Sequence, residues 1–282
     1  MLVSLTCLLS EQAQACTVRG VSQPHSTYRY HSLLDDPDRL GVPVEFVVPP
    51  LPELMEPSVM APVPVPASRD DEAMVQVAHS RIEVLSPYRH AGFVNAASDA
   101  FVRSGVLERL VAAAVSLPEG FGLVVLDAWR PLALQAEMFE SAYADSSLSA
   151  GFVSAPSADP STPPPHLTGG TVDVSLTWQG HPLALGSGFD EFTERARTAV
   201  FELSPGRVRE LRRLLYLVMR TQGFVVLDCE WWHFELGTRR WAAITGTFPW
   251  YGAAAVVLRE SSFTTPWSLP SSSYIAEGLG GM

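Results

Sequence analysis

The sequence predicts an α+β domain, and three observations carry that reading. Between about residues 75 and 250 short β-rich runs and amphipathic helical stretches are mixed without strict alternation, so a doubly wound parallel sheet is not indicated. One run, Thr171–Trp178 (TVDVSLTW), alternates: Val172, Val174 and Leu176 point one way and Thr171, Asp173, Ser175 and Thr177 the other. The 282 residues are 47% hydrophobic and 17% charged, which is enough apolar material for one large core.

Taken in order, the chain divides into an N-terminal extension and proline-rich arm (1–74), a globular domain (75–250) and a C-terminal tail (251–282). The arm is read from 42–67, VPVEFVVPPLPELMEPSVMAPVPVPA, where proline density prevents helix and interrupts sheet pairing. Residues 104–116 carry Val106, Leu107, Leu110, Val111 and Ala114 at helical spacing. The run GLVVLDAW (122–129) reads as a strand, and Pro131 then opens a helix over LALQAEMFESAYA. A Ser/Pro/Ala loop over 146–165 ends in PPPH, and the strand TVDVSLTW follows as a half-buried strand with a polar face. The Gln179-Gly180 pair marks a turn, and DEFTERARTAVFE reads as a helix with Asp190 at its N-cap. Ser204-Pro205 caps a further helix with an apolar stripe of Val208, Leu211, Leu215 and Val218, ended by Gly223. Residues 224–236 return to strand.

Composition excludes several function classes. A net charge of −11 leaves no basic patch to neutralise phosphates, so nucleic acid is not a partner. All 19 basic residues are arginine, which removes lysine nucleophiles, Schiff-base chemistry and a Walker-type phosphate loop. The three cysteines, Cys7, Cys16 and Cys229, form no CxxC pair and no disulfide framework. No run approaches the roughly 20 apolar residues of a membrane span. The first ten residues are apolar and AQAC (13–16) has small-residue character, but no basic segment precedes them, so a cytoplasmic protein is expected.

The chemistry concentrates in CEWWHFELG (229–237). Glu230 and His233 are groups that bind metals and move protons, and Trp231 and Trp232 exclude water. A catalytic zinc needs about three protein ligands and one open position. The other ligands are sought in HLTGGTVD (166–173), where His166 lies in a loop, two glycines allow a tight turn, and Asp173 sits on the polar face of the strand. His166, Asp173 and His233 form a two-histidine, one-carboxylate set, which suits zinc and also non-haem iron. A regular strand would send Glu230 and His233 to opposite faces, because they are three apart. The reading therefore requires a bulge, a strong twist or a strand end between them.

The ordered set DAWRP (127–131), HLTGGTVD (166–173), GSGFDEF (186–192) and EWWHF (230–234) resembles the D-alanyl-D-alanine dipeptidases, the VanX-type zinc peptidases, over about residues 81–245. The resemblance implies an α+β domain whose small, mostly antiparallel sheet carries one zinc per chain. It implies His166, Asp173 and His233 as ligands, Glu230 as the catalytic glutamate and Arg130 as the oxyanion-stabilising arginine. Asp190 would hold the ammonium group of a small dipeptide substrate, and Tyr88 would line the pocket. The chain departs from the family at Pro164 and Pro165, where serines are usual; Ser161, Thr162 and Thr168 are the nearby hydroxyls that could serve the substrate carboxylate instead. Thr171 stands where alanine is more usual. Two other readings compete: a zinc D,D-carboxypeptidase acting on peptidoglycan stems, and a non-catalytic domain that keeps zinc for structure.

Overall fold

The computed structural model of the protein describes residues 33–144, 153, 155–191 and 193–256. The apolar N-terminus and most of the C-terminal tail lie outside the described residues. Strands β1 (Met74–Gln76) and β3 (Phe101–Arg103) form a two-stranded antiparallel sheet. The main sheet has the order β2-β4-β5-β8-β7, built from β2 (Ile82–Val84), β4 (Phe121–Asp127), β5 (Thr171–Trp178), β7 (Val225–Leu227) and β8 (Glu230–Glu235); the short β6 (His181–Pro182) pairs with the end of β5. Among the pairings of these strands the β2–β4 one is parallel and the others are antiparallel. Among the described residues five helices accompany these strands: α1 (Pro87–His90), α2 (Ser104–Ser116), α3 (Leu132–Tyr143), α4 (Arg207–Thr221) and α5 (Arg239–Thr245). The fold class is α+β with a mostly antiparallel sheet.

The core grows from the apolar stripes. Val106, Leu110, Ala113 and Ala114 of α2 and Leu211, Leu214, Leu215, Val218 and Met219 of α4 are buried. The two helices lie against each other and against β4 and β5. They join one cluster with Leu123, Val125, Val172, Val174 and Leu176 of the sheet.

Three expectations are corrected. The β5 strand is buried on both faces up to Thr177 rather than half-buried. Its polar face is covered from above, and Ser175 Oγ donates to the carbonyl of Leu183 at 2.6 Å. Among the described residues the stretch after Asp190 shows no α-helix but a short 3-10 turn, at Glu194–Ala196. The cause is Arg212 of α4, whose guanidinium takes the carbonyls of Arg195, Arg197 and Thr198, which a helix would have given to its own amides. Helix α4 begins at Arg207 behind Gly206 and has no side-chain cap, because Ser204 sits in the preceding turn, bonded to Phe201.

The proline-rich segment is extended and lies on the body. Val42, Val48, Val63 and Ala67 are buried in the common core, so apolar side chains anchor a backbone that makes few ladder bonds. Arginines fix the loops. Arg81 donates to four carbonyls, those of Val115, Leu117, Pro118 and Phe121. Arg103 donates to the carbonyls of Asp70, Glu72, Thr168 and Gly252.

Candidate metal and catalytic centre

The site is laid out by sheet register. Asp127 of β4, Asp173 of β5 and His233 of β8 occupy one row across three neighbouring strands, since Asp127 pairs with Asp173 and Asp173 with His233. Cross-strand partners are the closest neighbours a sheet offers. His166 arrives from the opposite direction. It sits in the 3-10 turn His166–Thr168, and Gly169 closes that turn with φ 71°, a left-handed conformation that glycine adopts without strain. Gly170 then passes so close to β8 that a Cβ there would lie 2.4 Å from the carbonyl oxygen of Leu236. The two glycines thus let the chain fold back and lay His166 over Asp173.

His166, Asp173 and His233 are buried, and one ligand atom from each lies within 4.8 Å of the others. His166 Nε2 is 3.5 Å from Asp173 Oδ2, and His233 Nδ1 is 3.1 Å from Asp173 Oδ1. The imidazole rings meet edge to face with centroids 5.1 Å apart. The remaining ring nitrogens are engaged elsewhere. His166 Nδ1 is 2.7 Å from the carbonyl of Ala128, and His233 Nε2 is 3.1 Å from Glu235 Oε1. Each imidazole therefore turns its other nitrogen toward Asp173, as a metal ligand held from behind does. Asp173 Oδ1 is buried and, although His233 Nδ1 lies 3.1 Å away, accepts no well-aligned hydrogen bond, and an under-satisfied buried carboxylate oxygen is expensive. A cation among these three side chains answers that cost, so the residues fit a metal ion.

The electrostatics agree. Burial lowers the His233 pKa, but the facing carboxylates of Asp173 and Glu235, each 3.1 Å away, outweigh that and push it up to about 10. Burial raises the Asp173 pKa, yet the two histidines bring it well below the carboxylate range. The pocket is built to hold positive charge.

Glu230 lies beside this cluster, its Oε2 3.7 Å from His233 Nδ1. The required irregularity is present: β7 and β8 pair Val226 with Phe234 and then Leu227 with Glu230, so three residues of β8 are accommodated in a register shift. That shift swings Glu230 back toward the face of His233. Burial, with the Asp173 charge nearby, raises the Glu230 pKa against the opposing pull of His233.

A second group adjoins the first. Arg130 follows β4, and its Nε donates to Asp127 Oδ2 at 2.8 Å and its Nη1 to Gln135 Oε1 at 2.9 Å. Its Nη2 donates to Tyr88 Oη at 3.1 Å and lies 3.9 Å from Asp173 Oδ2. Tyr88 in turn donates to Asp190 Oδ2 at 2.8 Å. Asp190 sits at φ 52°, an uncommon value for a non-glycine residue. Its pKa is well above the usual range because it is buried near the Glu230 and Asp173 charges. Trp231 anchors the loop beneath, its Nε1 donating to Ser187 Oγ at 2.8 Å. Trp232 and Phe189 pack edge to face, with Phe189 also against Tyr88.

All seven residues singled out in the sequence thus converge on one region. The alternative hydroxyls are already engaged: Ser161 and Thr162 bond Asp159, and Thr168 Oγ1 donates to the carbonyl of Pro165. His181 is exposed and faces Asp35. Cys229 is half-buried in the turn before Glu230. Sequence reasoning missed Glu235, which is buried against His233, Thr238 and Arg240. Its signal was available, because alternation along EWWHFE puts it on the side of His233.

A buried His-Asp-His cluster that could hold a metal ion, on a mostly antiparallel sheet with a carboxylate and a guanidinium beside it, is the kind of centre that peptide hydrolases use. The family model described as D-ala-D-ala dipeptidase, peptidase family M15, matches residues 101–249, and the chain belongs to that family of metal-dependent peptidases. A D-alanyl-D-alanine dipeptidase of Synechocystis is 29% identical over 191 residues, covering 55% of this chain and 77% of that protein. One of Escherichia coli is 33% identical over 118 residues, covering 42% of this chain and 56% of that protein. Among the described residues no helix is long and apolar enough to cross a membrane.

Proposed function

We propose that the chain is a zinc-dependent dipeptidase that hydrolyses D-Ala-D-Ala to free D-alanine. The observation that supports this most is the convergence of a buried His166–Asp173–His233 cluster with Glu230 on one side and the Arg130–Tyr88–Asp190 chain on the other. His166 Nε2, Asp173 and His233 Nδ1 would hold one zinc ion. Bound there, zinc would supply Lewis-acid polarisation of the peptide carbonyl and acidification of water.

The protein's own groups account for the rest. Glu230 takes the proton from the attacking water and delivers it to the leaving amine, and its raised pKa suits a group that must both accept and release a proton. Arg130 stays cationic: burial works against its charge, but Tyr88, Asp127, Asp173 and Asp190 hold its pKa above the ordinary value. It is braced by Asp127 and Gln135 and so presents a fixed positive edge to a developing oxyanion. Asp190 faces the substrate's ammonium group, whose charge would offset the burial that now disfavours its anion. Tyr88 ties Asp190 to Arg130 and sets the distance between the amino end and the scissile bond. Trp231, Trp232 and Phe189 keep the surroundings dry, which strengthens each of these interactions.

A site that closes on an ammonium group favours a free dipeptide over the acylated stem that a D,D-carboxypeptidase would cut. A structural zinc domain would need neither Glu230 nor Arg130. The deciding experiment measures D-alanine release from D-Ala-D-Ala by zinc-loaded protein, beside a chelated sample and Glu230→Ala. Release abolished in both controls supports the reading. No release from folded, zinc-containing protein overturns it, and release only from N-acylated stem peptides transfers it to the carboxypeptidase.

A further inference from the structure

The proline-rich arm reaches the metal centre through a chain of side chains that the proposed mechanism does not use. Glu235 Oε1 is shared between His233 Nε2 at 3.1 Å and Arg240 Nε at 3.2 Å. Thr238 Oγ1 donates to the other oxygen, Glu235 Oε2. Arg240 Nη1 donates to Glu56 Oε2 on the arm, and Glu56 Oε1 accepts the backbone N–H of Asp228, in the turn between β7 and β8, at 3.0 Å. The arm is fixed again just beyond this point. Arg239 donates to the carbonyls of Met60 and Ala61 at 2.9 Å. Val63 N–H donates to the carbonyl of Ser161, in the segment leading to His166, at 2.8 Å. The region matched by the family model begins at residue 101, so this arm lies outside it.

We propose that Glu235 is a positioning residue for His233, and that Glu56 of the arm extends the same support by holding Arg240 against Glu235. This rests on the reading of His233 as a metal ligand. The geometry gives the reason. Nδ1 of His233 faces Asp173 and Glu230, while Nε2 faces Glu235. A carboxylate accepting the Nε2 proton fixes the ring rotation, fixes the tautomer with Nδ1 free, and makes that nitrogen a better donor to a cation. Glu235 is 1% exposed, so its charge needs Arg240 to remain. Glu56 and Asp228 N–H then keep the Arg240 side chain from swinging out to solvent, and the same carboxylate pins the turn from which Glu230 hangs.

The test uses the full chain in four forms: wild type, Glu235→Gln, Glu56→Ala and the double variant. Zinc affinity is measured by competition with a chromophoric chelator, and the ligand field by the visible absorption of the cobalt(II)-loaded protein. Thermal melts of the metal-free proteins verify folding. Glu235→Gln is expected to weaken zinc by about 10- to 100-fold and to change the cobalt spectrum, with the melt retained. Glu56→Ala removes a half-exposed ion pair and is expected to weaken zinc by about two- to fivefold. In the Glu235→Gln background it should add nothing, because its effect passes through Glu235. Unchanged zinc affinity and spectrum in Glu235→Gln, beside a wild type that binds zinc, overturn the inference and leave the metal reading standing. A Glu56→Ala effect that is absent, or that persists in full in the double variant, overturns the link to the arm. A wild type that binds neither metal overturns the metal reading itself.

Discussion

Replacing Glu230 by glutamine isolates proton transfer from everything else in the site. The amide has the volume of the carboxylate and can still hydrogen-bond, but it cannot accept a proton. Glu230 lies 3.7 Å from His233 with its side chain 23% exposed, reachable by water, and it is not one of the three residues proposed as ligands. Its loss should therefore spare the metal and remove the base. General-base catalysis by a positioned side chain contributes about 10²- to 10⁴-fold, which is about 2.7–5.5 kcal/mol of barrier. Glu230→Gln is expected to lower kcat for D-Ala-D-Ala by that factor, with zinc content unchanged and zinc affinity moved by less than about tenfold. The assay couples released D-alanine to a D-amino-acid oxidase, with metal content measured on the same samples. Activity within about tenfold of wild type would show that another group takes the proton. Loss of zinc together with activity would show that Glu230 is a ligand, and the division of labour argued from the geometry would be wrong.

Other perturbations test other parts. Asp190→Asn should cost about 10- to 100-fold in kcat/KM for the free dipeptide, the scale of a lost charged hydrogen bond, and should leave hydrolysis of an N-acetylated analogue unaffected; an equal loss on both substrates would refute the ammonium contact. Gly170→Ala places a methyl group 2.4 Å from the Leu236 carbonyl oxygen and should destabilise the fold by about 3 kcal/mol, read by denaturant unfolding; a neutral result would mean that the His166 turn relaxes freely. Glu137 accepts bonds from the Val94 and Asn95 amides and the Asn95 side chain, and these outweigh burial to hold its pKa below the ordinary value. Its stabilisation is thus present above the unfolded glutamate pKa of about 4.3 and lost as pH falls through the depressed folded value. The melting temperature of Glu137→Gln should lie below wild type at pH 7, with the gap closing toward pH 3, and a gap that is independent of pH would refute this.

The candidate site was legible because its chemistry sits in short, chemically dense stretches. Alternation in TVDVSLTW placed Asp173 on a polar face, and the three-residue spacing of Glu230 and His233 demanded an irregular strand, which the β7–β8 register shift supplies. Register itself was not legible. Nothing in the sequence says that Asp127, Asp173 and His233 share one row, since that depends on which strands become neighbours. The stretch 190–202 was misread because its helical composition is overruled by Arg212, which lies far along the chain and captures its carbonyls. The polar face of β5 looked solvent-facing because a buried hydroxyl and an exposed one are spelled alike. The arm's composition is likewise the same whether proline-rich chain is packed or free; only Val42, Val48 and Val63 at buried positions separate the two.

The arginines that clamp loop carbonyls have a consequence for how the molecule can vary. Arg103 joins the turn after His166, two points on the segment before β1 and the chain near Gly252, which are remote from one another in sequence. Such a residue works as a keystone: it grips chiefly their backbone carbonyls, so apart from Asp70 and Tyr251, whose side chains it also meets, the side chains of the loops it touches can change. The loops are therefore open to diversification one by one, while loss of a single guanidinium would loosen all of them together.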